Sequence, residues 1–139
     1  MQSGHLLTFP GTRAGFAQAF DDFRRTLDDH PLERRARYNC ELVFEEVVTN
    51  IIRHGYPDNG EHDIEVSLDF PDDEVIMRFE DDGVLFDPRN HQPALSSSIL
   101  DGKDDGRGLI LLRSAARRLE YERTAQQRNR LTVTIKENE

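Results

Sequence analysis

From Ile64 to Phe79 the chain alternates between apolar and polar residues. Ile64, Val66, Leu68 and Phe70 are separated by Glu65, Ser67 and Asp69. After the turn-forming run Pro71, Asp72, Asp73, Glu74, the pattern resumes with Val75, Met77 and Phe79 set against Ile76 and Arg78. A period of two places each set on one side of a sheet, so the stretch predicts a hairpin with one buried face. Elsewhere the period is helical. Phe16, Phe20, Phe23 and Leu27 recur at helical spacing behind "LLTFP", which reads as a short edge strand ended by Pro10. A second helix is predicted from about Leu32, just after Pro31, through His54, with a stop at Gly55. Its apolar face is Phe44, Val47, Val48 and Ile51, and its polar edge carries Glu46 and Asn50. Further on, Leu109, Leu112, Ala116 and Leu119 form one helical stripe, and Leu131, Val133 and Ile135 mark a closing strand. Residues 87–107 are polar, with Pro, Gly and Ser and no sustained period. A loop that long in a compact domain predicts a lid, placed at about 89–105. The element order gives an α+β fold, a two-layer sandwich with helices on one face of a mostly antiparallel sheet.

Length and charge narrow the function classes. The 139 residues suit one domain spanning 1–139. Hydrophobic residues at 36% and charged ones at 32% fit a globular chain with a well-solvated surface. No apolar run reaches the roughly 18 residues of a membrane span, and the N-terminus lacks the basic and apolar parts of a secretion signal, so a cytoplasmic location and no membrane partner are expected. The formal net charge of -9 opposes binding to a phosphate backbone, so no nucleic-acid partner is expected. The single cysteine, Cys40, forms no internal disulfide and no thiolate metal cluster; its place on the apolar side of the second helix predicts a core residue.

Three short stretches carry candidate chemistry. In "ELVFEEVVTNIIRHGY", Glu46 and Asn50 lie one turn apart, about 40° around the helix, so their side-chain oxygens can converge on one object. Mg²⁺ suits such a place, because it takes few protein oxygens and fills its remaining positions with water and substrate phosphates. A carboxylate beside it suits a general base. Both residue types also suit a solvent-facing helix rim. In "RFEDDGVLFDP", the phase of Val75, Met77 and Phe79 carries Asp81 inward, where a carboxylate needs a donor such as the exocyclic amine of adenine. Gly83 follows where a backbone must turn or admit a ligand, and Phe86 and Asp87 open the long loop; a plain Asp-Asp-Gly turn has the same composition. In "DDGRGLILL", Gly106 and Gly108 expose backbone amides at a helix N-terminus that favours phosphate, with Arg107 between them as an added positive charge. A hinge before a helix reads the same way.

The order of the three is more specific than any one of them. Helical Glu-x-x-x-Asn, then Asp-x-Gly-x-x-Phe-Asp-Pro at a strand end, then a long loop and Gly-x-Gly-Leu opening a helix resembles the N, G1 and G2 boxes of the GHKL ATP-binding superfamily. Within it the chain is most similar to the stand-alone anti-sigma-factor serine kinases, over nearly its whole length. The resemblance implies a Bergerat-type α+β fold with ATP and Mg²⁺ as cofactors. It implies Asn50 as the Mg²⁺ ligand, Glu46 as the catalytic acidic residue and Asp81 as the adenine-binding residue. Gly83 stands for the G1 glycine, and Gly106 and Gly108 for the G2 glycines, with Phe86, Asp87, Arg107 and Leu109 beside them at the nucleotide. The implied activity is transfer of phosphate to a serine or threonine of a small antagonist protein, with a sigma factor as a second partner and a homodimer as the assembly. The alternative is a non-catalytic nucleotide-binding module that sequesters a partner. Thr49, next to the proposed ligand, either supports it or is a helix-surface residue, and His54 is expected to be structural.

Overall fold

The computed structural model describes residues 4–54, 61–84 and 112–136. The described elements are β1 (His5–Pro10), α1 (Arg13–Asp28), α2 (Arg34–His54), β2 (Asp63–Asp69), β3 (Glu74–Asp81), β4 (Arg118–Arg123) and β5 (Asn129–Lys136). The five strands form one sheet in the order β1-β2-β3-β5-β4, antiparallel at every pairing. This is the α+β sandwich the pattern predicts.

Local chemistry sets the entry to α1. Thr12 caps the helix, its hydroxyl oxygen accepting from the Gly15 amide at 2.9 Å, which satisfies an otherwise orphan donor of the first turn. Gly15 is there for space. A Cβ at that position would stand 2.0 Å from the carbonyl oxygen of Pro10, so only glycine lets the helix turn this closely off the end of β1.

The core lies between the helices and one sheet face. Ile64, Val66 and Leu68 of β2, Val75, Met77 and Phe79 of β3, and Leu131, Val133 and Ile135 of β5 are all buried. Against them pack Phe23 and Leu27 of α1 and Val43, Phe44, Val47 and Val48 of α2. Phe44 is the centre of an aromatic cluster, stacked on Phe23 at 4.3 Å between ring centroids and tilted against Phe79 at 6.2 Å. Truncating a phenylalanine so placed costs about 3–5 kcal/mol. Cys40 is fully buried, and burial pushes its thiol up to about 12, as expected of a core cysteine. The opposite sheet face is charged: Glu65, Arg128, Glu80, Arg130 and Glu122 form a chain of ion pairs across four strands and a turn, at 2.8–3.5 Å. Exposed pairs of this kind contribute at most about 1 kcal/mol each.

Two boundaries differ from the pattern. The second helix begins at Arg34 rather than near Leu32, because the Leu32 amide turns back to the His30 carbonyl at 2.8 Å and the first helical bond runs from Arg37 to Glu33 at 2.9 Å. The stripe through Leu119 is not one helix. Residues 112–115 are helical, but Leu119 belongs to β4, which pairs with β5 from Arg118↔Thr134 to Arg123↔Asn129. β4 is an edge strand with no fully buried residue; its Leu119 and Tyr121 alternate with Glu120 and Glu122, but Leu119 also falls in helical phase with Leu109, Leu112 and Ala116, and pairing with β5 overrides the helix propensity of its Arg, Leu and Glu residues. The lid at 89–105, and Gly55, where the second helix was expected to stop, lie outside the described residues. Among the described residues no helix is long and apolar enough to cross a membrane.

Candidate functional site

β3 and β5 are neighbouring interior strands of the sheet, and they carry the polar end of the core. Their register sets Asp81 directly opposite Asn129. Both are buried, at 3% and 6% exposure, where every other inward position of the two strands is apolar. Beside them opens a pocket with about 460 Å³ of empty space out to its mouth. α2 contributes Val47, Asn50 and Ile51 to its wall, β3 contributes Phe79 and Asp81, and the turn after β3 contributes Val84. Leu112, Tyr121, Asn129 and Leu131 complete it. The lining is thus apolar with a few convergent polar groups, as small-molecule sites generally are.

Asp81 is held through one oxygen. The Gly83 amide donates to its Oδ2 at 2.8 Å, and the Asn129 Nδ2 approaches the same oxygen at 3.5 Å. Among the described residues no donor reaches Oδ1. Desolvation by burial raises the carboxyl above the usual range; the Gly83 and Asn129 hydrogen bonds pull against that shift, and the neighbouring Asp82 adds to it. A buried acceptor with one oxygen that no described residue satisfies, at the wall of an apolar pocket, fits an incoming amine donor. Adenine supplies one, on a flat ring that suits Val47, Ile51, Phe79 and Val84.

Asn129 is the polar residue that sequence reasoning missed. Its Nδ2 also donates to the Val84 carbonyl at 2.8 Å, and its Oδ1 accepts from the Tyr121 hydroxyl and, at 3.1 Å, from Arg123 Nη1. The same Arg123 nitrogen donates to the Gly83 carbonyl at 3.0 Å. Two neighbouring strands, β5 and β4, therefore clamp the Gly83–Val84 turn from the same face of the sheet as Asp81. The signal was present: Asn129 shares the phase of Leu131, Val133 and Ile135, so alternation carried back by one step points it inward.

Asn50 is half-buried at the pocket wall, and its carboxamide makes no hydrogen bond to a described residue. Glu46 is half-buried one turn earlier on α2 and is not part of that wall. Thr49 spends its hydroxyl on the helix itself, donating to the Glu45 carbonyl at 2.6 Å, which favours its reading as a helix-surface residue. Among the described residues no group of three or more His, Cys, Asp or Glu could hold a metal, so a cation here would take Asn50 as a protein oxygen and complete its shell from phosphate and water, as Mg²⁺ does readily. The structure thus brings Asn50, Asp81 and the Gly83 turn together. Phe86, Asp87, Gly106, Arg107, Gly108 and Leu109 lie outside the described residues, as does the His54 side chain.

A family model for the histidine kinase-like ATPase domain matches residues 9–135. No curated protein matches. Among solved structures, a Mycobacterium tuberculosis protein comprising RsbU and RsbW domains is 15% identical with a TM-score of 0.65; the match covers 96% of this chain and 32% of that one. The chain therefore spans about a third of the length of that two-domain chain. A chain of the SiaB–SiaC complex from Pseudomonas aeruginosa is 16% identical with a TM-score of 0.66, the match covering 94% of this chain and 88% of the other. At these identities the likeness is one of fold.

Proposed function

Because the chain belongs to the histidine kinase-like ATPase domain family, we propose that it is an ATP- and Mg²⁺-dependent protein kinase acting on a serine or threonine of a small antagonist protein, in a partner-switching system that also engages a sigma factor. The observation that supports the nucleotide half most strongly is the Oδ1 of Asp81, buried, without a donor among the described residues, and in the same pocket as Asn50. The kinase half rests on Glu46, one turn from Asn50, and on the sequence resemblance.

The residues divide the work. Asp81 accepts the adenine amine, and the clamp from Asn129 and Arg123 fixes the turn over which the base lies. The apolar wall excludes water from the ring. Asn50 offers its side-chain oxygen to Mg²⁺, which when bound offsets negative charge on the phosphate oxygens. The sequence resemblance implies Gly106, Arg107, Gly108 and Leu109 at the phosphate chain, a role that backbone amides at a helix N-terminus suit. Glu46 takes the proton of the attacking hydroxyl. Phosphoryl transfer asks a protein mainly to position groups and offset charge, and this set does both.

The test is transfer of radiolabelled γ-phosphate from ATP to a serine or threonine of a small protein that co-purifies with this chain. Label on that partner supports the kinase reading. Tight ATP binding and partner binding with no transfer would leave the nucleotide-dependent sequestering module instead.

A further inference from the structure

α2 has two working flanks, and Glu46 stands between them. At 100° per residue, Asn50 lies about 40° to one side of Glu46, while Arg53 and Thr49 lie about 20° and 60° to the other. The first flank, with Val47, Asn50 and Ile51, walls the nucleotide pocket. The second, with Thr49, Ile52 and Arg53, forms a separate groove closed by Arg13 and Phe16 of α1, with about 840 Å³ of empty space out to its mouth.

The chemistry of this groove differs from that of the pocket. Phe16 and Ile52 are half-buried and give it an apolar floor, and with the Thr49 hydroxyl bonded to its own helix, what Thr49 can offer is its methyl group. Its charge comes from Arg13 and Arg53. Arg24 and Arg37 pair with Glu41, Arg25 with Asp22, and Arg37 also with Asp28. Arg13 has no ion pair or hydrogen bond among the described residues, in a chain of net charge -9. It is also the first residue of α1, whose first turn holds no acidic side chain, and a cation at a helix N-terminus is unfavourable with respect to the macrodipole. An exposed cation with no partner among the described residues, kept at an unfavourable place beside an apolar floor, suits recognition better than stability.

We propose that this groove docks the acceptor segment of the protein substrate, and that the segment carries acidic side chains next to its serine or threonine and an apolar one seated on Phe16 and Ile52. The proposal rests on the kinase reading above. With the nucleotide filling the Asn50 flank, an acceptor approaching from the Thr49 flank meets the γ-phosphate across Glu46. The acceptor oxygen then forms the new bond to the γ-phosphorus. The bond from that phosphorus to the bridging oxygen breaks, ADP leaves with the electron pair, and the hydroxyl proton passes to the Glu46 carboxylate.

Two fluorescein-labelled peptides of equal length test it, each with one serine and one leucine, one flanked by glutamates and the other by lysines. Binding is read by anisotropy at low salt with a non-hydrolysable ATP analogue and Mg²⁺, on the unmodified protein and on Arg13→Gln and Arg13→Glu. Circular dichroism and affinity for the ATP analogue are measured on each variant to show that the fold and the pocket are intact. The unmodified protein is expected to prefer the glutamate peptide by about tenfold, Arg13→Gln to reduce that preference and Arg13→Glu to abolish or reverse it. Equal binding of the two peptides, or a preference that survives Arg13→Glu, overturns the proposal. Because binding is read without transfer, docking with the expected pattern but no label moved from ATP to the serine supports the groove and counts against the kinase reading alone.

Discussion

Asn129 braces Asp81 from a strand 48 positions away in sequence: the two sit opposite each other in the β3–β5 register, and the Asn129 Nδ2 lies 3.5 Å from Asp81 Oδ2. The same carboxamide holds Val84 and accepts from Tyr121 and Arg123, so one side chain ties the proposed nucleotide pocket to the β4–β5 hairpin.

Asn129→Ala leaves the Val84 carbonyl and the Tyr121 hydroxyl without this partner. An unsatisfied buried polar group costs about 1–3 kcal/mol, so the melting temperature should fall by several degrees. ATP affinity should fall with it, because the turn after β3 loses its clamp. Thermal melts and calorimetry on the same variant check both, and a variant with unchanged stability contradicts the clamp.

The Asp81 carboxyl is raised by burial, and the sign of its linkage follows. An acid whose folded pKa lies above its unfolded value, about 3.9, binds its proton more tightly in the folded state. Its contribution to stability is greatest below the unfolded pKa and declines as pH rises through the folded pKa. Asp81→Asn removes that decline. Its amide oxygen can take over the donors now on Oδ2, so the nucleotide-free variant should gain stability relative to the unmodified protein as pH rises from about 4, and then level off. Urea unfolding at matched pH values measures the difference; a gap independent of pH contradicts the assignment.

Glu46→Gln keeps size and hydrogen bonding but removes the basic carboxylate. General-base assistance is worth roughly 100- to 10,000-fold in rate, so transfer should fall by about that factor while ATP and partner still bind. Loss of ATP binding in this variant would make Glu46 a nucleotide-binding or structural residue.

Asn50→Ala should act through the cation. The gain in ATP affinity on adding Mg²⁺, against the same titration with chelator, should shrink, while affinity without Mg²⁺ stays near that of the unmodified protein. An unchanged Mg²⁺ dependence removes Asn50 from the metal site.

Much of this architecture is legible in the sequence because period-two and helical patterns are strong wherever one face is buried. The hairpin from Ile64 to Phe79, α1 and most of α2 follow from that alone, and so does the inward phase of Asp81. β4 was not legible. Its period-two signal is only Leu119 and Tyr121 between Glu120 and Glu122, and Leu119 also continues the helical stripe from Leu109, so it is the pairing with β5 that decides for a strand. Asn129 was legible in phase but not in role, since its partners come from β3, the turn after it and β4, which only the sheet order brings together. The Arg13 groove needed the packing of α1 on α2.

The central claim is that Asp81 reads adenine in this pocket, and calorimetry of ATP and GTP with Mg²⁺ tests it most directly, on the unmodified protein and on Asp81→Asn. GTP carries a carbonyl where adenine has its amine, so it should bind the unmodified protein poorly. Asp81→Asn should weaken ATP by about 1.5–3 kcal/mol, roughly tenfold to somewhat over a hundredfold, by exchanging a charged acceptor for an amide. Equal affinity for the two nucleotides, or ATP binding untouched by Asp81→Asn, would contradict the account.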